Sequence, residues 1–203
     1  ISFKEIRILE IAHVGVGHTL APQGIQHDQD GNLLVANYDN HRVYSYSPEG
    51  NYQFHFGEWG SAPEKLQYPN NLAIDSGGSI YVIEEKTKII KKFSPEGTYL
   101  FQFSIGQLGM IFSLSIDHQD NIWVADPEHN RIVIFDKNGT EIRAITSKNQ
   151  SSSLNHPVSV YCLPNGEYLL GDRSDSILKH FDAQDNLIHK ADRAHWGVDE
   201  IYF

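Results

Sequence analysis

The sequence predicts an all-β protein, a β-propeller built from four-stranded antiparallel blades. The first observation is a repeat: SPEGNYQF at 47–54 returns as SPEGTYLF at 94–101. A repeat period of about 20 to 50 residues is typical of folds assembled from copies of one unit. The second is that turn residues separate short apolar runs along the whole chain, and no segment keeps a helical apolar period. Helical solenoids are therefore excluded.

Four units of identical internal length align without gaps. They begin at Pro22, Pro69, Ile111 and Pro157, and each reaches a turn 28 residues later, at Gly50, Gly97, Gly139 and Asp185. The unit starts are separated by 47, 42 and 46 residues, so the length varies only between units. A rigid unit with variable connections indicates a repeat architecture.

Each unit predicts four strands in the same order. The first run leads to a Gly/Asn/Asp turn, which begins with Asp28, Asp75 or Asp117 in three units and with Leu163 in the fourth. Such a turn between apolar runs predicts a hairpin. The second run, such as NLLVA or NIWVA, does not alternate, which predicts burial on both faces. The third run ends on an aromatic residue that we expect to be buried between sheets: Tyr46, Phe93, Phe135 and Phe181.

The stretches PQGIQHDQDGNLLVANYDNHRVYSY and SIDHQDNIWVADPEHNRIVIFDKNG resemble NHL repeats, the blades of NHL-type β-propellers. The shared pattern is P-x-G-[IV]-x-x-D-x-x-G-N-[IL]-x-V-A-[DN]-x-x-N-x-R-[IV]. Units one and three fit it well, whereas unit two reads EEKTKII and unit four reads DRSDSIL at its Asn-x-Arg end. The resemblance covers residues 22 to 185 and concerns framework residues, so it is informative about fold rather than function.

The repeats predict one propeller domain over residues 1–203. The units span 22–68, 69–110, 111–156 and 157–194, and the flanks 1–21 and 195–203 read as partial strands. Propellers of this family commonly close with six blades, and the resemblance therefore implies a segment of a larger propeller or an unusual closure. The first residue is not Met, so we expect a processed or excised start.

Composition limits the functional classes. The chain has 16 Lys and Arg against 26 Asp and Glu, a net charge of −10, which disfavours RNA as a partner. The local basic cluster KTKIIKK at 86–92 keeps RNA as an alternative. No apolar run predicts a membrane span. The compartment stays open in the sequence, with the cytoplasm slightly favoured. The lone Cys162, in VYCLP, predicts a buried structural thiol in a strand.

One face of the propeller is the candidate binding surface. It collects the turns between second and third strands and the connections between blades, because both lie at the same end of the blades. Exposed aromatic, His and Asn side chains there would make good partner contacts. The candidate residues are Tyr38, His41, Trp59, Tyr68, Asn70, Asn71, Lys86, Phe112, His129, His156, Arg173 and Trp196. Asp39, Glu85, Glu128, Asp175 and His195 lie in the same loops.

Two more specific interpretations accompany these candidates. Trp59 and Trp196 have an alternative role, which is to fold back and fill the gaps between blades. We further expect Lys86 and Arg173 to be exposed on the same face as Trp59 and His156, since their loops depart from the framework pattern.

A metal site is an alternative that the sequence disfavours. His156 and His195 occupy neighbouring positions at successive blade starts. NHL-like amidating lyases carry a channel zinc on histidines, but Pro69 and Ile111 stand at or beside the matching positions here. We therefore expect no metal and no cofactor.

Four acceptor side chains share one position, 15 residues into each unit: Asn37, Glu84, Asp126 and Asp172. We expect them to cap backbone N–H groups of the turn that follows, rather than to form a carboxylate ring. Arg42 and Arg131 should brace the same turns.

These observations favour a non-catalytic recognition propeller that binds a protein or peptide. The resemblance implies that such a propeller can be the substrate-recognition part of a larger enzyme, such as a ubiquitin ligase. The alternatives are an RNA-binding NHL propeller, which members of the tripartite-motif group exemplify, and a metal-dependent lyase or lactonase with a central-channel site.

Overall fold

A computed structural model describes residues 21–106, 108–111, 113–147, 153–174 and 176–191. Apart from Ala21, the predicted partial strands at 1–21 and 195–203 lie outside these residues. The described residues form four antiparallel four-stranded sheets, each in sequential strand order. The predicted fold class, an all-β propeller of four-stranded antiparallel blades, is therefore confirmed.

The strand bounds follow the repeat. Blade 1 contains β1 (Pro22–His27), β2 (Leu33–Asn37), β3 (Arg42–Tyr46) and β4 (Tyr52–Phe56). Blade 2 contains β5 (Pro69–Ile74), β6 (Ile80–Glu84), β7 (Ile89–Phe93) and β8 (Tyr99–Ser104). Blade 3 contains β9 (Leu114–Ile116), β10 (Ile122–Asp126), β11 (Arg131–Phe135) and β12 (Glu141–Thr146), with a short 3-10 helix at Pro127–His129. Blade 4 contains β13 (Pro157–Cys162), β14 (Tyr168–Asp172), β15 (Ile177–Phe181) and β16 (Leu187–Ala191).

The first strand of each blade lies nearest the common axis, since β1 contacts β5, β5 contacts β9 and β9 contacts β13. Gly24 permits the first of these approaches, because a Cβ there would lie 2.7 Å from the Cα of Asn71. Between β9 and β13, the Ser113 hydroxyl accepts the Val160 N–H at 3.0 Å. The blades are thus joined by their inner strands.

The core lies between neighbouring blades. Second strands β2, β6 and β10 are buried at every position, as their unbroken apolar runs predict. The four aromatic residues that end the third strands are also buried, which confirms the repeat register: Tyr46 2%, Phe93 0%, Phe135 4% and Phe181 0% exposed. Apolar burial of this kind is the main source of stability for such sheets.

The predicted turns between third and fourth strands are confirmed. Gly50, Gly97 and Gly139 adopt φ values of 87°, 83° and 85°, and Asp185 adopts 65°. Only glycine takes this left-handed conformation without strain. In the first turn, the N–H of Gly50 donates to the carbonyl of Ser47 at 2.8 Å. The SPEG letters recur because successive blades use the same corner.

Candidate functional site

The turns between second and third strands and the connections between blades meet at one end of the propeller, which we call the loop face. Backbone contacts join them: the Arg173 N–H donates to the His156 carbonyl at 3.1 Å. The residue just before the third strand has a positive φ in every blade: His41, Lys88, Asn130 and Ser176. In blades 1, 2 and 3, the side chain of this residue contacts the connection to the next blade.

An aromatic cluster occupies the loop face between blades 1 and 2. The His41 ring lies 4.6 Å from the Trp59 ring and 4.7 Å, edge-on, from the Tyr68 ring. Tyr38 lies 4.9 Å from Tyr68, measured between ring centroids. The Lys86 ammonium lies 3.5 Å above the Tyr68 ring, within the range of a cation–π interaction. We call these five residues the aromatic patch.

The aromatic patch combines exposure with order. Trp59 is 57% exposed, so it does not fold back to fill a gap between blades. Its loop is nevertheless held by a bridge between Trp59 and Leu66 and by an ion pair between Lys65 and Glu58. The neighbouring rings fix the Trp59 side chain from one side. A large, ordered and exposed indole of this kind is well suited to contact a partner.

His41 connects the aromatic patch to the backbone. Its Nδ1 accepts the N–H of Tyr68 at 3.1 Å, so the neutral ring carries its proton on Nε2. Burial lowers the pKa of His41 below its ordinary value; nearby Asp39 opposes the shift, whereas Arg42 and Lys86 add to it. The ring is therefore neutral at physiological pH.

The other candidates are distributed differently. Lys86 and Arg173 are both exposed at the loop face, where Trp59 and half-buried His156 also lie. Asn70 is buried and donates to Glu85 at 3.2 Å, while Asn71 Oδ1 accepts the Leu72 N–H at 2.8 Å. The candidates Phe112 and Trp196 lie outside the described residues, as do the loop residues Asp175 and His195.

His129 also has a structural contact. Its Nδ1 lies 2.9 Å from an Asp126 carboxylate oxygen, although half of the side chain is exposed. This bond ties the ring to a buried acid of its own blade. Among the described candidates, the five residues of the aromatic patch therefore form the group whose side chains contact one another.

The four acceptors at the ends of the second strands cap backbone N–H groups. Among the residues that the structure describes, none of these N–H groups belongs to the turn that follows the strand. Asn37 accepts from Ala21 at 3.4 Å and Glu84 from Gln67 at 2.8 Å. Asp126 accepts from Gly109 at 3.0 Å and Asp172 from Asn155 at 2.8 Å. These donors belong to the connection that precedes each blade. The expected position of the cap was wrong, because the second strand ends beside that connection and not only at its own turn.

Sequence reasoning missed two buried ion pairs. Lys91 pairs with Glu84 at 3.1 Å and Lys179 pairs with Asp172 at 2.7 Å, and all four side chains are almost fully buried. In blade 3 the same role falls to Arg131, whose Nε donates to Asp126 at 2.8 Å. The signal was present: Lys stands 22 residues into the two units that lack the framework Arg.

The basic cluster at 86–92 is mostly committed to the fold. Lys91 is buried on Glu84, Lys92 pairs with Asp75 at 2.8 Å, and Lys88 donates to the Gly109 carbonyl. Lys86 is the exposed lysine of the cluster. The expectation of a basic strip that could face RNA is therefore weakened, because pairing removes most of its charge from the surface.

The opposite end of the axis holds a cavity of about 340 Å³ lined by all four blades, including His27, Asp75, Asp117 and Cys162. Cys162 is only half-buried, which corrects the expectation of a fully buried thiol, because its strand faces this cavity. Desolvation raises the pKa of the thiol to about 12, so it is protonated at neutral pH. Within the described parts of the chain, no three His, Cys, Asp or Glu side chains are arranged to hold a metal ion.

Comparisons with known proteins agree with the fold. No protein-family model matches the chain. Protein brain tumor of Drosophila melanogaster, an NHL-repeat protein, is 26% identical over 139 residues, which span 68% of this chain and 13% of that protein. The matched stretch is therefore a small part of its relative.

Solved structures show the same architecture at low identity. A Bacteroides caccae protein of unknown function is 15% identical with a TM-score of 0.72, and the match covers 92% of this chain and 73% of that one. Virginiamycin B lyase from Staphylococcus aureus is 13% identical with a TM-score of 0.65, covering 85% and 55%. Hydrazine synthase from Kuenenia stuttgartiensis is 15% identical with a TM-score of 0.63, covering 88% and 52%. At these identities the likeness shows the propeller fold alone. In the described residues, no helix has the length and apolar character needed to cross a bilayer.

Proposed function

We propose that this chain is an NHL-type propeller that acts as a non-catalytic recognition module and binds a protein or peptide at its loop face. The observation that carries the proposal is the aromatic patch, in which a 57%-exposed Trp59 is packed against His41. Trp and Tyr anchors surrounded by polar rims are typical of interaction hot spots. The NHL assignment is supported by the similarity to Protein brain tumor and by the structural use of the shared letters.

Those letters have physical roles in this structure. Gly24 lets two inner strands approach, Asp28 accepts two backbone N–H groups of its turn at 3.0 and 2.8 Å, and Arg131 neutralises a buried acid. They maintain the scaffold and leave the loop face free to vary. Function therefore depends on loop residues that the shared pattern does not specify.

Site-specific crosslinking tests the proposal. A photoreactive amino acid at exposed Ser61, close to Trp59, should capture a partner in cells. The same group at Ile142 is the control, because this residue is 52% exposed but lies on the outer strand β12. Capture at position 61 but not at 142 supports recognition at the aromatic patch. Equal capture at both positions would contradict it.

The charge of the partner can then be measured. We expect an acidic partner, because Lys86 and Arg173 are exposed on the loop face. Lys86→Glu combined with Arg173→Glu should slow association with the captured partner and flatten its salt dependence, since rim charges mainly steer encounter. Thermal stability should change little. Unchanged association kinetics would show that these loops carry no contacts.

RNA binding is the alternative that one observation favours: Lys86 stands beside aromatic rings of the kind on which bases stack. Filter binding with a salt titration separates the two proposals, because RNA affinity must fall steeply as salt rises. Tight RNA binding that is lost with Trp59→Ala would replace the protein-binding proposal.

A metal-dependent lyase or lactonase is the other alternative. Its support is the shared fold of virginiamycin B lyase, which carries no information about chemistry at 13% identity. Metal analysis of the purified protein separates it from the two binding proposals. A stoichiometric bound metal ion would favour the lyase.

A further inference from the structure

In the described part of the loop face, three side-chain latches each join one blade to the connection before the next blade. In blade 1, His41 Nδ1 accepts the Tyr68 N–H at 3.1 Å. In blade 3, Asn130 Oδ1 accepts the His156 N–H at 2.7 Å, the equivalent bond. In blade 2, Lys88 donates to the Gly109 carbonyl instead. Of these three latches, the one made by His41 has an acceptor that is lost when the imidazole ring is protonated.

We propose that His41 is a pH-sensitive latch that orders the aromatic patch when neutral and releases Tyr68 when protonated. The reason is geometric. Protonation places a hydrogen on Nδ1, so the ring can no longer accept the Tyr68 N–H, and two donors then face each other. Tyr68 carries the ring on which Lys86 lies, and it contacts Trp59 and Tyr38. Loss of the latch therefore reaches every member of the aromatic patch.

The charged groups around His41 influence how readily its ring is protonated. Asp39 of its own turn and Glu84 at the end of β6 favour the protonated ring. Arg42 at the start of β3 and Lys86 of the blade 2 turn oppose it. The Tyr68 ring packs against the His41 ring, and the Tyr38 ring packs against Tyr68.

On the connection that carries Trp59, Glu58 and Lys65 pair with each other. Burial is the largest influence and lowers the pKa of His41 below 6.5. The folded state thus binds the proton less readily than the unfolded chain. The stabilisation is complete above about pH 6.5 and is lost as pH falls through the lowered pKa.

The test compares two replacements of His41 in the free protein. His41→Asn supplies an acceptor that does not titrate, as Asn130 does in blade 3, whereas His41→Ala removes the acceptor. Nuclear magnetic resonance follows the His41 ring and the hydrogen-exchange protection of the Tyr68 amide between about pH 8 and about pH 5.

In the wild-type protein, protection should fall about tenfold or more as the ring titrates. It should stay constant and high with Asn, and constant and low with Ala. A His41 ring that titrates at or above 6.5, or the same pH dependence in the wild-type protein and the Asn variant, would overturn the latch. The ring titration needs only the wild-type protein, so a variant that fails to fold does not remove the test.

The functional meaning of the latch rests on the proposed recognition role, and the two can fail separately. The exchange measurement uses no partner, so a missing partner leaves its outcome unchanged. Once a partner is captured, its affinity should weaken at low pH for the wild-type protein and not for His41→Asn. A pH-independent affinity in the wild-type protein would show that the latch does not control binding.

Discussion

At the scale of single residues, the position that ends each second strand best explains the repeat. Glu84, Asp126 and Asp172 each combine a backbone cap with an ion pair, and the pairs of Glu84 and Asp172 are buried on both sides. Burial raises the pKa of Asp126, but bonds from Arg131, the Gly109 N–H and His129 outweigh it and lower the pKa overall. The desolvation cost of burying these acids is offset by their pairing with a cation. The position of the acid within each unit could be predicted from the sequence. That Lys91 and Lys179 replace Arg131 as its partner became clear only from the strand register.

Blade 1 lacks this pairing. Asn37 replaces the acid, and among the described residues its Nδ2 and the Nε of Arg42 are buried without a hydrogen-bond partner. The expectation that Arg42 braces the turn was therefore wrong for its Nε. Asn37 Nδ2 and Arg42 Nε are both hydrogen-bond donors, so neither can accept from the other. Orphaned donors of this kind cost about 1 to 3 kcal/mol each.

Replacing Asn37 by Asp should stabilise the protein. A carboxylate would accept from Arg42 as Asp126 does from Arg131, and we expect unfolding to cost about 1 kcal/mol more. Asp126→Asn is the matched control and should destabilise by about 3 kcal/mol or more, because it leaves Arg131 unpaired. Urea unfolding of both variants measures the difference. Destabilisation by Asn37→Asp would show that the buried site around residue 37 does not accommodate a carboxylate.

At the scale of elements, turns and strands followed from the sequence because each repeats a local rule four times. The turn glycines illustrate what sequence alone did not reveal. Gly97 and Gly139 pack against the preceding blade, where an added Cβ would lie 2.6 Å from Phe56 and 2.2 Å from Phe103. Positive φ was predictable from turn chemistry, whereas this contact depends on blade packing.

Gly139→Ala should therefore destabilise more than strain alone requires. Gly31 is the matched control: its φ is 81° against 85° for Gly139, but its added Cβ would meet only Pro48 at 3.5 Å. Gly31→Ala should cost about 1 to 2 kcal/mol from the left-handed conformation. Gly139→Ala should add about 1 to 3 kcal/mol from overpacking. Equal losses in thermal or urea unfolding would show that Phe103 moves aside freely.

At the scale of the whole molecule, the two ends of the propeller differ in chemistry. The loop face carries the aromatic patch, whereas the other end surrounds a cavity with aspartates and histidines. The repeat predicted which loops share a face, because strand direction fixes that. It did not predict which candidates converge: Tyr38, His41, Trp59 and Tyr68 meet since one connection folds over the neighbouring turn. Three lysines pair with acids of the scaffold, so the net charge of −10 was a weaker guide than local pairing.

The central claim is that Trp59 anchors a partner at the loop face, and the affinity of the captured partner for Trp59→Ala tests it most directly. Hot-spot truncations cost about 2 kcal/mol or more, so the dissociation constant should rise about 30-fold. Ile142→Ala, which removes a side chain of similar exposure from an outer strand, should leave it unchanged. Equal affinities for wild-type protein and Trp59→Ala, with the fold intact, would contradict the account.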